Sequence, residues 1–188
     1  NSRLSSTVKR TRKRRNRMKA RGKLLVLSFC FVCLFNFHLS AQEGGKVLLS
    51  LPPFERAVVC IKHFEGLHTW KDYPYVGYGH RLLPGEQFTA AMTERQADFL
   101  LRADLMKRFA SFQRFGKDAL LLTILSYNVG EYRLLGGGRR SKSRLIQKLE
   151  SGDRDIYREY VSFCRYKGKV LHGLVKRRKV EFALFYVP

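Results

Sequence analysis

Residues 65–80 read EGLHTWKDYPYVGYGH, a short stretch rich in tyrosine and glycine that is typical of a hairpin or compact loop. From Phe54 onward, the preceding residues place apolar side chains at helical spacing, and Gly66 ends that pattern. We therefore predict a helix that ends at Glu65, directly before a hairpin. A glutamate in that place is either a solvated helix end or, where apolar neighbours shield it, a candidate acid catalyst.

The chain beyond the hairpin predicts a mainly helical domain. Thr93 and Gln96 have the spacing of a capping box at the start of a second helix. Residues 118–129 are almost entirely apolar, which is typical of a helix in the middle of a domain. Shorter helices are expected at 143–150, 153–166 and about 172–186. The expected fold class is therefore α+β, mainly α, with one small hairpin.

Composition excludes wholesale disorder, because 45% of the 188 residues are hydrophobic and 13% are aromatic. The formal net charge of +22 would suit a non-catalytic protein that binds nucleic acid or anionic envelope polymers. Half of that charge lies in residues 1–41, which hold eleven basic residues and no acidic one. Residues 42–188 keep 26 basic and 15 acidic residues, and charges interleaved in this way are typical of a solvated surface. Nucleic acid is therefore not the expected partner.

The N-terminal residues have the pattern of an export signal. A short basic stretch leads into an apolar run at 24–39 and then into small residues, so we predict a signal peptide at 18–41, cleaved after Ala41. The alternative is an uncleaved membrane anchor formed by the apolar run. Residues 1–17 are expected to be an unstructured basic extension, and 42–53 a flexible lead-in. Such a protein is exported to the periplasm or the cell exterior.

The cysteines fall into two pairs along the chain. Cys30 and Cys33 lie inside the apolar run and are expected to have no role of their own. Cys60 and Cys164 belong to the expected mature domain, where a disulfide and two buried free thiols both fit the sequence.

Four segments, taken in order, carry a family resemblance. They are EGL at 65–67 with KD at 71–72 and YVGYGH at 75–80, LSYNVG at 125–130, LIQKLESGD at 145–153, and GLVKRRKVE at 173–181. Each segment alone is a weak signal, but together they span about residues 54–187 and resemble the phage-type lysozymes of glycoside hydrolase family 24. The YPYVGYGH form is similar to the lysozymes of Bacteroidetes conjugative elements.

The resemblance implies a lysozyme-like fold over residues 54–188, with the small hairpin beside a catalytic cleft and a helical C-terminal lobe. It also implies hydrolysis of the β-1,4 bond between N-acetylmuramic acid and N-acetylglucosamine. Peptidoglycan glycan strands are then the substrate, the enzyme is a monomer, and no cofactor or metal is expected.

The resemblance also assigns residues. Glu65 matches the catalytic general acid of the family, and Asp72 is the candidate second carboxylate. Tyr75 occupies the position of a threonine that holds the attacking water. His80 and Asn128 are expected to bind substrate. The alternative for His80 is a structural role in the hairpin. The alternative for Asn128 is a helix cap or hinge.

This sequence departs from the family pattern in the hairpin. Only fifteen steps separate Glu65 from His80, fewer than is usual in the family, and Tyr75 replaces the threonine. His68 and His80 are therefore further candidates for the second catalytic group. The alternative enzyme is a lytic transglycosylase, which needs only the glutamate because the 6-hydroxyl of muramic acid attacks.

Three charged residues lie close together near the C-terminus, at Arg177, Arg178 and Glu181. Their spacing of three and four residues predicts ion pairs along a helix. We expect these pairs to tie the last helix to the domain, and a substrate clamp is the alternative.

Overall fold

The computed structural model describes residues 46–188. Residues 46–50 are helical and belong to one unit, whereas Leu51–Pro188 form another. The predictions for residues 1–41, including the signal peptide or anchor and Cys30 and Cys33, lie outside the described residues. In the range 46–188, no helix combines the length and the apolar character that a membrane span requires.

The unit Leu51–Pro188 contains seven helices and two small hairpins. They are α1 (Pro53–Glu65), β1 (Tyr75–Val76), β2 (His80–Arg81), α2 (Glu94–Phe112), α3 (Ala119–Val129), α4 (Glu131–Leu135), α5 (Arg144–Glu150), α6 (Tyr157–Val161), β3 (Arg165–Tyr166), β4 (Lys169–Val170) and α7 (His172–Phe185). Two 3₁₀ turns lie at Trp70–Asp72 and Gln113–Asp118. The strands pair as two separate antiparallel ladders, β1 with β2 and β3 with β4. The predicted class, mainly α with a small β component, is confirmed.

Helix α3 is the centre of the core, and its sequence explains why. It contains no charged residue, and nearly all of its side chains up to Ser126 are buried. Each fully buried leucine or isoleucine contributes about 1.5–3 kcal/mol to folding. Thr123 and Ser126 donate hydrogen bonds to the backbone carbonyls of Ala119 and Thr123, so neither hydroxyl is unsatisfied in the core. Helices α1, α2 and α7 pack around α3.

Several local predictions are confirmed. Thr93 begins α2 with a capping box, in which the Gln96 side chain accepts a hydrogen bond from Thr93 N at 2.8 Å and Thr93 Oγ1 accepts one from Gln96 N at 3.3 Å. The helix that was expected to end at Glu65 does so. The apolar helix and the helices expected at 143–150 and 172–186 also form within a residue or two of the predicted bounds.

The predicted helix over 153–166 is wrong for most of its length, since only α6 is helical there and β3 pairs with β4. The Asp153 carboxylate accepts a hydrogen bond from Asp155 N at 2.9 Å, and this local bond competes with a helix start. Lys167 and Gly168 both have positive φ, as a tight two-residue hairpin turn requires. The C-terminal lobe therefore contains a second hairpin that the sequence did not indicate.

His80 attaches the first hairpin to helix α2. Its Nδ1 lies 2.8 Å from Asp104 Oδ2 on α2, and its Nε2 lies 2.9 Å from Glu86 Oε2. Burial by itself lowers the pKa of His80, but the hydrogen bonds to Glu86 and Asp104 outweigh it, and the pKa is raised. The protonated ring can donate to both carboxylates, so it holds the hairpin in place as a cation.

The stability of the fold should therefore depend on the charge of His80. Because its pKa is higher in the folded than in the unfolded protein, the stabilisation is complete below about pH 6.5 and is lost as the pH rises through the folded-state pKa. Replacing both acceptors, in Asp104→Asn/Glu86→Gln, should flatten the decline in the free energy of unfolding between about pH 6 and 9. Urea denaturation across this range measures the slope.

Asp98→Asn is the matched control for this prediction. Asp98 lies on α2 as well, but its ion-pair partners are a lysine and an arginine, Lys62 and Arg102, and not a histidine. Asp98→Asn should lower the free energy of unfolding by about the same amount at every pH. The dependence of that free energy on pH should keep the wild-type slope. A double variant with the wild-type slope would show that His80 is not the source of the pH dependence.

Candidate active site

Glu65 is the last residue of α1, and Gly66 turns the chain away from the helix. Gly66 has a φ of 67°, and its N–H donates to the carbonyl of Lys62 at 3.0 Å, so the helix closes directly after the glutamate. The Glu65 side chain is 19% exposed. It is therefore mostly shielded from water and still accessible to a ligand.

Arg177 of α7 holds the Glu65 carboxylate. Its Nη1 lies 2.7 Å from Glu65 Oε1, and its Nε lies 2.8 Å from Glu181 Oε1, one turn further along α7. The guanidinium also stacks over the ring of Phe64, with its Cζ 5.2 Å from the ring centroid. Burial opposes the charge of Arg177, but the charges of Glu181 and Glu65 outweigh it and raise the pKa of Arg177. Arg177 is thus a buried cation that two carboxylates share.

Glu181 and Arg178 extend these ion pairs into the core, where both side chains are completely buried. Glu181 Oε2 lies 2.7 Å from Arg178 Nη1 and accepts a hydrogen bond from the Tyr160 hydroxyl at 3.0 Å. Arg178 Nη2 donates to Asn128 Oδ1 at 2.6 Å. We call these two carboxylates and two guanidinium groups the buried ion cluster, which consists of Glu65, Arg177, Arg178 and Glu181.

Gly79, in the tight turn between β1 and β2, brings two further side chains close to Glu65. A methyl group on Gly79 would lie 3.8 Å from Glu65 Cγ and 3.6 Å from His68 Cε1. It would also lie 3.7 Å from Tyr127 Cε1, so three side chains converge on this glycine. The Tyr127 hydroxyl donates to the carbonyl of Tyr78 at 3.0 Å, and burial is the main cause that raises the pKa of Tyr127. Because Gly79 has no side chain, the first hairpin can approach Glu65 closely at the end of α1.

The predicted second carboxylate, Asp72, is exposed and closes a turn. Its Oδ2 accepts hydrogen bonds from the backbone N of Thr69 at 2.7 Å and from the Thr69 hydroxyl at 3.1 Å. The backbone hydrogen bond from Thr69 is the main cause that lowers the pKa of Asp72, so this carboxyl group is ionised at neutral pH. Oδ1 has no hydrogen-bond partner within the described part of the chain.

Tyr75, which the sequence predicts beside the attacking water, lies in β1 opposite Arg81 and is 43% exposed. Its ring centroid is 6.3 Å from that of His68, and the two rings are tilted by 36°. The structure thus places Tyr75 against His68, and His68 in turn lies beside the same glycine as Glu65.

The two predicted substrate-binding residues, His80 and Asn128, differ in how many of their side-chain hydrogen-bonding groups are already used within the protein. Both ring nitrogens of His80 are engaged within the protein, by Asp104 and Glu86. Asn128 uses its carbonyl oxygen to accept from Arg178, which leaves its amide N–H groups available at the end of α3. Substrate binding stays a prediction for both residues.

The ion pairs predicted along α7 are present, but the sequence did not indicate that Arg177 also reaches Glu65. The available signal was a pair of adjacent arginines in a helix that carries apolar residues. Neighbouring helix positions point about 100° apart, so a wide buried face must accommodate at least one of the two guanidinium groups. Two adjacent arginines beside a single glutamate on the same helix, Glu181, therefore indicate that a further carboxylate comes from another element.

The two cysteines of the described residues are not joined by a disulfide. Cys60 and Cys164 are buried free thiols, and burial raises the pKa of Cys60 to about 12. Among residues 46–188, no group of three or more His, Cys, Asp and Glu side chains is arranged to hold a metal ion.

Loss of Arg177 should strongly destabilise the fold. Arg177→Met keeps most of the side-chain length but leaves Glu65 unpaired and Glu181 with only one cation. Breaking a buried ion pair in this way costs about 3–5 kcal/mol. The free energy of unfolding, measured by urea denaturation, should fall by that amount, whereas Lys179→Met, an exposed change on the same helix, should change it by less than about 0.5 kcal/mol.

A double variant tests the contact with Glu65 directly. In a Glu65→Gln background the unpaired carboxylate is absent, so Arg177→Met should cost about 0.5–3 kcal/mol less than it does alone. Strictly additive effects would contradict the ion pair between these two side chains.

The chain is similar to known proteins over most of its described length. The phage lysozyme family model matches residues 62–181, a range that includes Glu65 and the other members of the buried ion cluster. An endolysin of Bacillus phage B103 is 32% identical over 143 residues, which covers 66% of this chain and 50% of the endolysin. The chain therefore spans about half the length of this relative.

The muramidase domain of SpmX from Asticaccaulis excentricus has a similar fold. The two structures superpose with a TM-score of 0.53 at 24% sequence identity, over 70% of this chain and 95% of that domain. At this level of identity the likeness concerns the fold alone. The resemblance to lysozymes of Bacteroidetes conjugative elements stays a prediction. Because the family model matches most of the described residues, the chain belongs to the phage lysozyme family.

Proposed function

We propose that this protein is a peptidoglycan-degrading lysozyme that hydrolyses the β-1,4 bond between N-acetylmuramic acid and N-acetylglucosamine, with Glu65 as the general acid. The observation that carries the proposal is the placement of the Glu65 carboxyl group. Arg177 holds Oε1, and Oε2 has no partner within the described residues. An acid catalyst needs an oxygen that is fixed in direction and free to deliver a proton to the leaving group, and Oε2 meets both conditions.

Asp72 and Tyr75 are proposed to act on the other side of the reacting sugar. The transition state of glycoside hydrolysis carries positive charge on the sugar ring, and the ionised Asp72 carboxylate would stabilise that charge. Its Oδ1 is free for this role, because only Oδ2 caps the 3₁₀ turn. Tyr75 presents an exposed ring and hydroxyl where the family has its threonine.

Substrate contacts are proposed for two kinds of side chain. The free amide group of Asn128 can donate to a sugar hydroxyl or to an N-acetyl carbonyl. Trp70 and Tyr73, each 74% exposed, present aromatic faces on which sugar rings can stack. His80 is proposed to act through the position of the hairpin, since its ring nitrogens are engaged.

The site of action follows from the substrate. Peptidoglycan lies outside the cytoplasmic membrane, so we propose that residues 18–41 direct export to the periplasm or the cell exterior. The balance of +11 on residues 42–188 would attract the enzyme towards an anionic envelope.

A lytic transglycosylase is the second candidate, and the involvement of Asp72 in a turn favours it. If Asp72 serves only as the cap of its turn, Glu65 acts without a second carboxylate. The muramic acid 6-hydroxyl would then attack C1 in place of water.

Replacing Glu65 should abolish activity. Glu65→Gln keeps the size of the side chain but has no proton to donate, so the rate of clearing purified cell walls should fall by about 10²–10⁴-fold. Glu55→Gln is the matched control on the same helix, since Glu55 is half-exposed and pairs with Arg102. It should clear walls at the wild-type rate. Wild-type activity in Glu65→Gln would exclude Glu65 as the acid.

Mass spectrometry of the released fragments distinguishes the two reactions. Hydrolysis adds one water to each cleaved bond, whereas a transglycosylase leaves a 1,6-anhydro end. We expect reducing ends to predominate with the wild-type enzyme. A product composed of anhydro ends would identify a transglycosylase.

A further inference from the structure

His68 occupies a central place among the predicted catalytic residues. Its backbone N–H donates to the carbonyl of Gly77 at 2.7 Å, which folds the segment after Glu65 back on the first hairpin. A methyl group placed on Gly79 would lie 3.6 Å from His68 Cε1 and 3.8 Å from Glu65 Cγ. The two side chains therefore flank one glycine that leaves the space between them open.

The hydrogen bonds of His68 define which ring nitrogen is free. Nδ1 lies 3.3 Å from the carbonyl oxygen of Gly77. A carbonyl can only accept, so Nδ1 carries the hydrogen, and in the neutral ring Nε2 carries the lone pair. Nε2 has no hydrogen-bond partner within residues 46–188. The half-buried ring thus presents a proton acceptor that the protein itself does not use.

The groups around His68 suit a ring that gains a proton during a reaction. Asp72 lies close enough for the two charges to interact, and the charge of His68 contributes to lowering the pKa of Asp72. Tyr75 packs its ring beside His68, and Tyr127 approaches the same glycine from α3. Glu65 approaches the same glycine, so an imidazolium here would have two carboxylates, Glu65 and Asp72, in its surroundings.

His80, the other histidine of this region, cannot take the same role. Its two ring nitrogens contact Asp104 and Glu86, and it holds the hairpin as a cation. An attacking water would find no lone pair on that ring.

We propose that His68 Nε2 binds the attacking water and accepts its proton, a role that rests on the proposed hydrolysis. The water oxygen forms a bond to C1 of N-acetylmuramic acid while the bond between C1 and the bridging oxygen breaks. Glu65 donates its proton to the departing oxygen of N-acetylglucosamine, and His68 takes one proton from the water. Solvent then returns a proton from His68 to Glu65, so the net reaction consumes one water. Tyr75 positions the ring of His68 in place of binding the water itself.

The test compares two substitutions of His68. His68→Asn retains an amide N–H in the position of Nδ1, so it can still donate to Gly77, but it lacks Nε2. His68→Ala removes the whole ring and leaves space for added imidazole. His63→Ala is the matched control, because His63 is an exposed histidine on α1.

We expect kcat/KM on purified cell walls to fall by about 10²-fold or more in both His68 variants, with His63→Ala unchanged. His68→Asn should unfold at the same urea concentration as the wild type. Added imidazole should restore part of the activity of His68→Ala, because it supplies the missing base. In both variants the fraction of 1,6-anhydro products should rise, since the 6-hydroxyl attack no longer competes with an activated water.

The outcomes separate this proposal from the proposed function. A folded His68→Asn enzyme with wild-type activity, alongside an inactive Glu65→Gln enzyme, would overturn the role of His68 alone. Loss of activity in His68→Ala without rescue by imidazole, and with no change in the product ends, would overturn it too. A wild-type protein that cleaves no cell wall would overturn the proposed function and the role of His68 with it.

Discussion

The ion pair between Arg177 and Glu65 is the contact on which the site depends. A buried guanidinium group loses several kcal/mol of hydration, and only charges and hydrogen bonds of good geometry offset that loss. Arg177 and Arg178 lie side by side in the core, so the fold must supply carboxylates to both. Glu181 on the same helix contacts both of them and cannot balance two positive charges alone. Glu65 provides the second carboxylate and is thereby fixed at the junction of α1 and α7.

This constraint explains why the sequence predicted the framework better than the site. Helix α1, the Thr93 capping box and the apolar helix α3 follow from periodicity and local hydrogen bonds, which a linear pattern contains. The contact of Glu65 with Arg177 joins residues that are far apart in the sequence, and no spacing rule connects them. The β3–β4 hairpin was missed for a related reason: Gly168 ends a helix as readily as it makes a turn, and the choice depends on packing.

The role of Asp72 was open to prediction from local sequence. Thr69 and Asp72 have the spacing of a capping box, and the pair forms one in the structure. The hydrogen bond from Thr69 N to Oδ2 fixes the direction of the Asp72 carboxylate and lowers its pKa. The side chain is nevertheless exposed to solvent. The shortened segment between Glu65 and the first hairpin therefore positions Asp72 by local bonds, whereas Glu65 is positioned by the core.

The two histidines of the first hairpin region show how neighbours, and not residue type, decide a role. His80 has a carboxylate on each ring nitrogen, so its proton is shared within the protein and the ring acts as a structural cation. His68 has a carbonyl on one nitrogen and nothing from the described chain on the other. The partners of His80 come from α2 and from the loop that precedes it, which the sequence around the hairpin does not reveal. Because His80 has both ring nitrogens engaged, His68, which keeps a free lone pair beside Glu65, is the ring that we assign to act on water.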